Sequence, residues 1–142
     1  MKSTMKKNFI LSIFAISIAI GAQLFAETVD SHFTKNCICK VMTSSAKTNV
    51  TFSLVENESE LNVLVSPFSY NDKSIGEFSF VAQKKSDGFF YAQKQSAKTT
   101  NASGEEIIVT ISSAKIDVQN QKVELKFKPG KMPFNISLQT IN

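Results

Sequence analysis

The chain has 142 residues, with sixteen lysines, no arginine, twelve carboxylates and a formal net charge of +4. This length accommodates one domain with a single core. Without arginine there is no bidentate guanidinium fork to read phosphate or guanine, so nucleic acid is not an expected partner.

Lys2, Lys6 and Lys7 precede an apolar run from Phe9 to Ala22, and Ala26 stands before Glu27. That order is the pattern of a secretory signal peptide, so residues 1–26 are expected to be removed on export to the periplasm or the extracellular space. Cleavage after Gly21 or Ala22 is the alternative, because Leu24 is large for a position three residues before the cut. The run falls short of the ~20 apolar residues that cross a bilayer, so no stable membrane span is expected after processing. Cys37 lies too far from any cleavage point to serve as a lipoprotein anchor. Processing would remove three lysines and leave 116 residues with a net charge of +1. The basic balance of the whole chain therefore says little about partners.

Residues 27–36 are polar and are expected to form a flexible N-terminal arm. From residue 37 to 142 the chain reads as one β domain. In a half-buried strand, successive side chains face opposite sides, so apolar and polar residues take turns. Val50, Phe52 and Leu54 alternate with Thr51 and Ser53. Leu61, Val63 and Val65 follow the same rule, as do Phe78 and Phe80, then Ile107, Val109 and Ile111. Val123, Leu125 and Phe127 alternate with charged residues, and Phe134, Ile136 and Leu138 with polar ones. With the runs near Cys37 and Phe89, the pattern predicts eight strands. They cover about 37–43, 48–56, 60–68, 74–83, 88–95, 105–118, 121–128 and 132–140.

Turn-forming residues fall between these runs: Asn57-Glu58-Ser59, Asn71-Asp72-Lys73, Asp87-Gly88, Asn101 to Gly104, Asn120-Gln121 and Pro129-Gly130-Lys131. Links this short make sequential strands antiparallel neighbours. Between Ser112 and Ala114 the apolar set moves from odd to even positions, which predicts a β-bulge. Eight antiparallel strands in chain order predict an up-and-down barrel, because closure removes exposed edges. A two-sheet β-sandwich is the alternative.

The chemistry-bearing residues are sparse. Cys37 and Cys39 are too close to form an unstrained bridge, so no disulfide framework is expected. His32, Cys37 and Cys39 are the candidate metal or redox group, but they supply one ligand fewer than a closed zinc site. His32 sits in the polar arm, away from any rigid Ser-His-Asp arrangement. Ser44 to Lys47 and Ser112 to Lys115 match a Ser-x-x-Lys spacing, in strand or turn contexts without companion motifs. Glu56, Glu58, Glu60, Glu105 and Glu106 occupy turn and outer-face positions and read as solvated charge. No Gly-rich phosphate loop is present, no cofactor is implied, and the chain is not expected to be an enzyme.

Three segments carry a family resemblance, within residues 49–141. The first is Pro67-Phe68 followed by Ser74-Ile75-Gly76-Glu77-Phe78. The second is Ser86-Asp87-Gly88, and the third runs from Lys128-Pro129-Gly130-Lys131 into Met132-Pro133-Phe134. In these the chain resembles the calycin-like family of small exported bacterial proteins, which are lipocalin-like barrels. The N-terminal strand with its two cysteines does not match that pattern. The resemblance implies a barrel that holds one small ligand, and it transfers no catalytic residue. Phe52, Val63, Phe78, Phe80, Phe89, Val109, Phe127 and Phe134 are then the candidate lining of an apolar interior site. The alternative for so much aromatic mass is a filled core. In that case the expected role is docking on a cell-envelope protein through Phe90 and its neighbours.

Overall fold

The computed structural model describes residues 28–141. The leader assigned to residues 1–26 and the start of the arm at Glu27 lie outside the described residues. Within them every regular element is a strand, and no helix is long and apolar enough to cross a membrane.

β1 (Thr28–Val41) and β2 (Ser44–Asn57) form a long hairpin. β3 (Glu60–Val65) follows and pairs with β6 (Phe78–Lys84). Between them, β4 (Phe68–Tyr70) and β5 (Lys73–Ile75) make a separate two-stranded hairpin. β7 (Phe90–Ala92) and β8 (Gln95–Thr100) both lie along β9 (Glu106–Asp117). β7 takes the C-terminal half of β9, and β8 takes the N-terminal half. β10 (Lys122–Pro129) and β11 (Ile136–Thr140) return the sheet to β1.

The ring β1-β2-β3-β6-β7-β9-β10-β11 closes on itself, with every pairing antiparallel. The fold is an eight-stranded, up-and-down, closed β-barrel. β8 is an extra strand that extends the β7 position. Closure leaves no long flat edge in the ring.

The inner face carries the alternating apolar set. Leu54, Leu61, Val65, Ile111, Ile116, Val123, Leu125, Ile136 and Leu138 are all buried. Phe127 sits among aromatic rings, with centroids 5.1 Å from Phe78 and 6.4 Å from Phe68. A second pair, Phe33 and Phe52, has centroids 5.6 Å apart. Such packing excludes water across the middle of the barrel and supplies most of the folding free energy.

The β-bulge is present. Lys126 faces Ser113 while Phe127 faces Ile111, so Ser112 is the extra residue. The turns fall at the expected places. Asn71 and Asp72 both have positive φ (46° and 64°), the backbone of a type I′ hairpin.

Four expectations about the elements are corrected. Residues 28–36 are not a loose arm but the first half of β1, paired through to Asn57 of β2. Backbone pairing holds this polar stretch, which its side chains alone would not reveal. The expected strand 60–68 breaks at Ser66-Pro67, because proline cannot donate to a ladder. The expected strand 74–83 breaks at Gly76-Glu77. The eleven elements observed among the described residues include β8, whose residues 96–100 fall in an expected loop and whose Gln95 ends the expected strand 88–95.

Candidate functional site

Six of the eight candidate lining residues face inward and are buried: Phe52, Val63, Phe78, Phe80, Val109 and Phe127. Phe52, Val63, Val109 and Phe127 have no exposed surface at all, so neighbouring atoms meet them on every side. The barrel is filled at this level and has no water-sized gap against these side chains.

The other two candidates lie elsewhere. Phe89 is half-buried on the outer surface, with the Lys115 ammonium 4.7 Å above its ring. Its amide donates to Asp87 Oδ1 at 2.9 Å, closing a side-chain turn before β7 begins. That turn makes Phe90 the first inward residue of β7, opposite Ile116. Phe90 is 2 % exposed and offers no docking surface, so the inside and outside roles expected of Phe89 and Phe90 are exchanged. Phe134 is half-buried in the loop before β11, not on a strand, because Pro133 delays the return to the ladder.

The candidate metal or redox residues do not converge. Cys37 and Cys39 are buried on the inner face of β1, whereas His32 is exposed on its outer face and accepts from or donates to Ser53 Oγ at 2.9 Å. Odd and even positions of one strand cannot share a site. Among the described residues no group of three metal-ligating side chains is found. Both thiols are free, and burial pushes each up to about 11; the proximity of Cys37 adds to the effect on Cys39. They are therefore protonated and poorly nucleophilic near neutral pH.

A pocket of about 140 Å³ lies at one end of the barrel, open on one side to solvent. The β4–β5 hairpin forms one wall with Tyr70, Ile75 and Gly76. The end of β8 supplies Thr99, the start of β9 supplies Ile107, and the loop after β10 supplies Met132. Lys73, Ser74, Thr100, Asn101 and Pro129 complete the lining.

Each wall is tied down. Thr48 Oγ1 donates to the Ser69 carbonyl at 2.7 Å and holds β4 against β2. Asn101 Oδ1 accepts from the amides of Ser103 and Glu105 at 3.0 and 2.9 Å, which sets the β8–β9 turn. The Gly130 amide donates to the Ile108 carbonyl at 2.7 Å and fixes the end of β10. The site is largely pre-formed, as binding pockets usually are.

The walls carry a hydroxyl at Tyr70, raised above the ordinary tyrosine range by burial and then by nearby Cys39. Thr99 also lines the pocket, but its hydroxyl oxygen is sealed against the Gly76 backbone and has no hydrogen-bond partner among the described residues. No histidine, cysteine or carboxylate lines this pocket.

Sequence reasoning does not reach Thr99, Tyr70 or Ile107 as site residues. Thr99 and Ala97 form the inner face of β8, and neither is apolar enough to mark a strand. A signal does exist for Gly76 and Met132. They fall in two of the three segments that carry the family resemblance, and those segments meet at this pocket.

Comparison with known proteins finds no matching family model, no matching curated relative and no matching solved structure.

Proposed function

We propose that the chain is an exported, non-catalytic binding protein of calycin-like kinship that takes a small, mainly apolar ligand at one end of its barrel. The observation that carries this reading is the pre-formed, partly open pocket under the β4–β5 hairpin, beside a barrel middle in which Phe52, Val63, Val109 and Phe127 are fully buried. Its volume is close to that of an engineered cavity of about 150 Å³ that binds benzene. It is smaller than the roughly 300 Å³ at which drug-sized sites begin. A single ring, or the tip of a longer chain left outside, fits it.

The lining holds no histidine, cysteine or carboxylate, which supports binding over catalysis. The meeting of the Ile75-Gly76 and Pro129 to Met132 segments at the pocket supports the kinship. Export rests on the leader pattern of residues 1–26.

Titration of the processed protein with toluene, followed by amide chemical shifts, tests the site. Saturable shifts are expected at Ile75, Gly76, Thr99 and Ile107. No shift there up to the solubility limit would reject binding at this pocket. N-terminal sequencing of protein recovered from its native host is expected to begin at or near Glu27, and a retained Met1 would remove the export part of the reading.

A further inference from the structure

We infer that the outer face of β10, β11 and β1 is a docking surface for an anionic lipid bilayer, held there by Lys40, Lys126 and Lys128. The inference goes beyond the ligand pocket and does not depend on it.

The ladder registers place these residues side by side. On the outer face, Lys126 of β10 stands opposite Ser137 of β11, and Ser137 stands opposite Lys40 of β1. Ser113 of β9 and Ser45 of β2 extend the row, which reads Ser-Lys-Ser-Lys-Ser across five strands. Neighbouring strands lie about 4.8 Å apart, so the backbones at Lys40 and Lys126 are about 10 Å from each other. Lys128 follows Lys126 on the same side of β10, facing Thr110. One row back, Glu124 lies opposite Lys115, and Lys47 opposite Ile38.

These positions hold five lysines and one carboxylate, Glu124, a net charge of +4. Residues 27–142 as a whole carry thirteen lysines and twelve carboxylates, a net charge of +1. The remainder is therefore −3, and the charge of the domain is strongly one-sided. The ion pair found among the described residues, Lys98 with Glu106 at 3.8 Å, involves none of the five lysines. Like charges set this close repel one another and give the fold nothing, whereas an anionic surface from outside neutralises them.

Exposed apolar side chains lie at one end of the same face. Met42, 75 % exposed, sits in the β1–β2 turn two residues past Lys40. Ile108, 45 % exposed, lies on β9 two residues before Thr110, the partner of Lys128. A bilayer takes both features at once: its phosphates meet the lysines, and its acyl boundary takes the apolar tips. A soluble polyanion would use the lysines and leave Met42 and Ile108 in water.

Co-sedimentation of processed protein, residues 27–142, with lipid vesicles tests the assignment. Vesicles of phosphatidylcholine and phosphatidylglycerol, about seven to three, are expected to bind it in about 0.1 M salt and release it in about 0.5 M, and pure phosphatidylcholine is expected not to bind. A Lys40→Gln, Lys126→Gln, Lys128→Gln variant is expected to bind about tenfold or more weakly. A Lys84→Gln, Lys85→Gln, Lys94→Gln variant has the same net charge and is expected to bind as wild type does. Amide spectra of both would establish that they are folded. Equal losses in the two variants would show attraction by net charge alone and overturn the face. Met42→Ser keeps every charge and is expected to weaken vesicle binding about threefold or more while leaving binding to dextran sulfate unchanged. Binding to dextran sulfate without binding to the vesicles would overturn the bilayer in favour of a soluble polyanion. Binding to neither would overturn the docking surface altogether.

Discussion

Gly76 lies so close to Thr100 that a β-carbon built on the glycine would stand 2.4 Å from the Thr100 carbonyl oxygen. The approach brings the β4–β5 hairpin down onto the end of β8 and closes one side of the pocket. The obstacle to a side chain here is space: the contact is with backbone, which cannot rotate away. Gly76→Ala is expected to cost about 1–3 kcal/mol in urea denaturation, as overpacking does. It should also weaken toluene binding. Gly104 provides the contrast, because nothing lies within 4 Å of its missing β-carbon and only its φ of 84° opposes substitution. Gly104→Ala is expected to lose about 1 kcal/mol and leave binding unchanged. Equal losses of binding in the two variants would show that the Gly76 contact does not shape the pocket.

Gln95 replaces a missing rung of the ladder. β6 pairs with β7 at Gln83 and Lys84 but forms no backbone ladder with β8. At the point of divergence the Val81 amide donates to Gln95 Oε1 at 3.0 Å, and Gln95 Nε2 donates to the Val81 carbonyl at 2.8 Å. A carboxamide offers the same donor and acceptor as a peptide group, so one side chain serves both backbone atoms. Gln95→Leu leaves both part-buried groups unpaired and is expected to cost about 2–3 kcal/mol. Hydrogen exchange at the Val81 amide should accelerate more than at Leu61 or Val63. Unchanged protection of Val81 would remove the side chain from this role.

Phe89 and Phe90 are neighbours with opposite fates. Phe90 is packed inside against β9, and its truncation to alanine is expected to cost about 3–5 kcal/mol. Phe89 contributes an outer contact with Lys115, so Phe89→Ala is expected to cost about 1 kcal/mol or less. Comparable losses in thermal or urea unfolding would contradict the inward and outward assignments.

The same pair shows what the sequence discloses. Alternation locates a strand wherever large apolar residues mark one face, as at Phe52, Val63 and Leu125, and the phase change at Ser112 discloses the bulge. It cannot say which of two adjacent aromatics turns inward, because Asp87 decides that through its bond to the Phe89 amide. The first half of β1 is hidden for a related reason: between residues 30 and 36, Phe33 is the one buried side chain, and the segment is held by pairing with β2. The pocket is the least legible feature. Its walls come from segments far apart in the chain, its inner β8 residues are alanine and threonine, and it depends on a space at Gly76 that only tertiary packing defines.

Cys37 and Cys39 give a pH-dependent signature of the barrel interior. Their thiols are neutral when protonated, and burial pushes both from an ordinary value of 9.0 up to about 11. Between these values the folded chain holds protons that the unfolded chain has released. Stability therefore falls as pH rises. The contribution is fully present below about pH 9 and is lost as pH rises through about 11. Tyr70, also raised by burial, acts in the same direction. One pKa unit corresponds to about 1.4 kcal/mol, so the loss is on the order of 2 kcal/mol for each thiol. Urea denaturation from pH 8 to 11.5 would measure it against a Cys37→Ala, Cys39→Ala variant. The variant is expected to be less stable at pH 8, because removing buried sulfur leaves voids. Its stability should nevertheless decline less steeply than that of wild type above pH 9, with the two curves converging. Parallel curves across that range would mean that the thiols titrate as they do in water and are not sealed within the barrel.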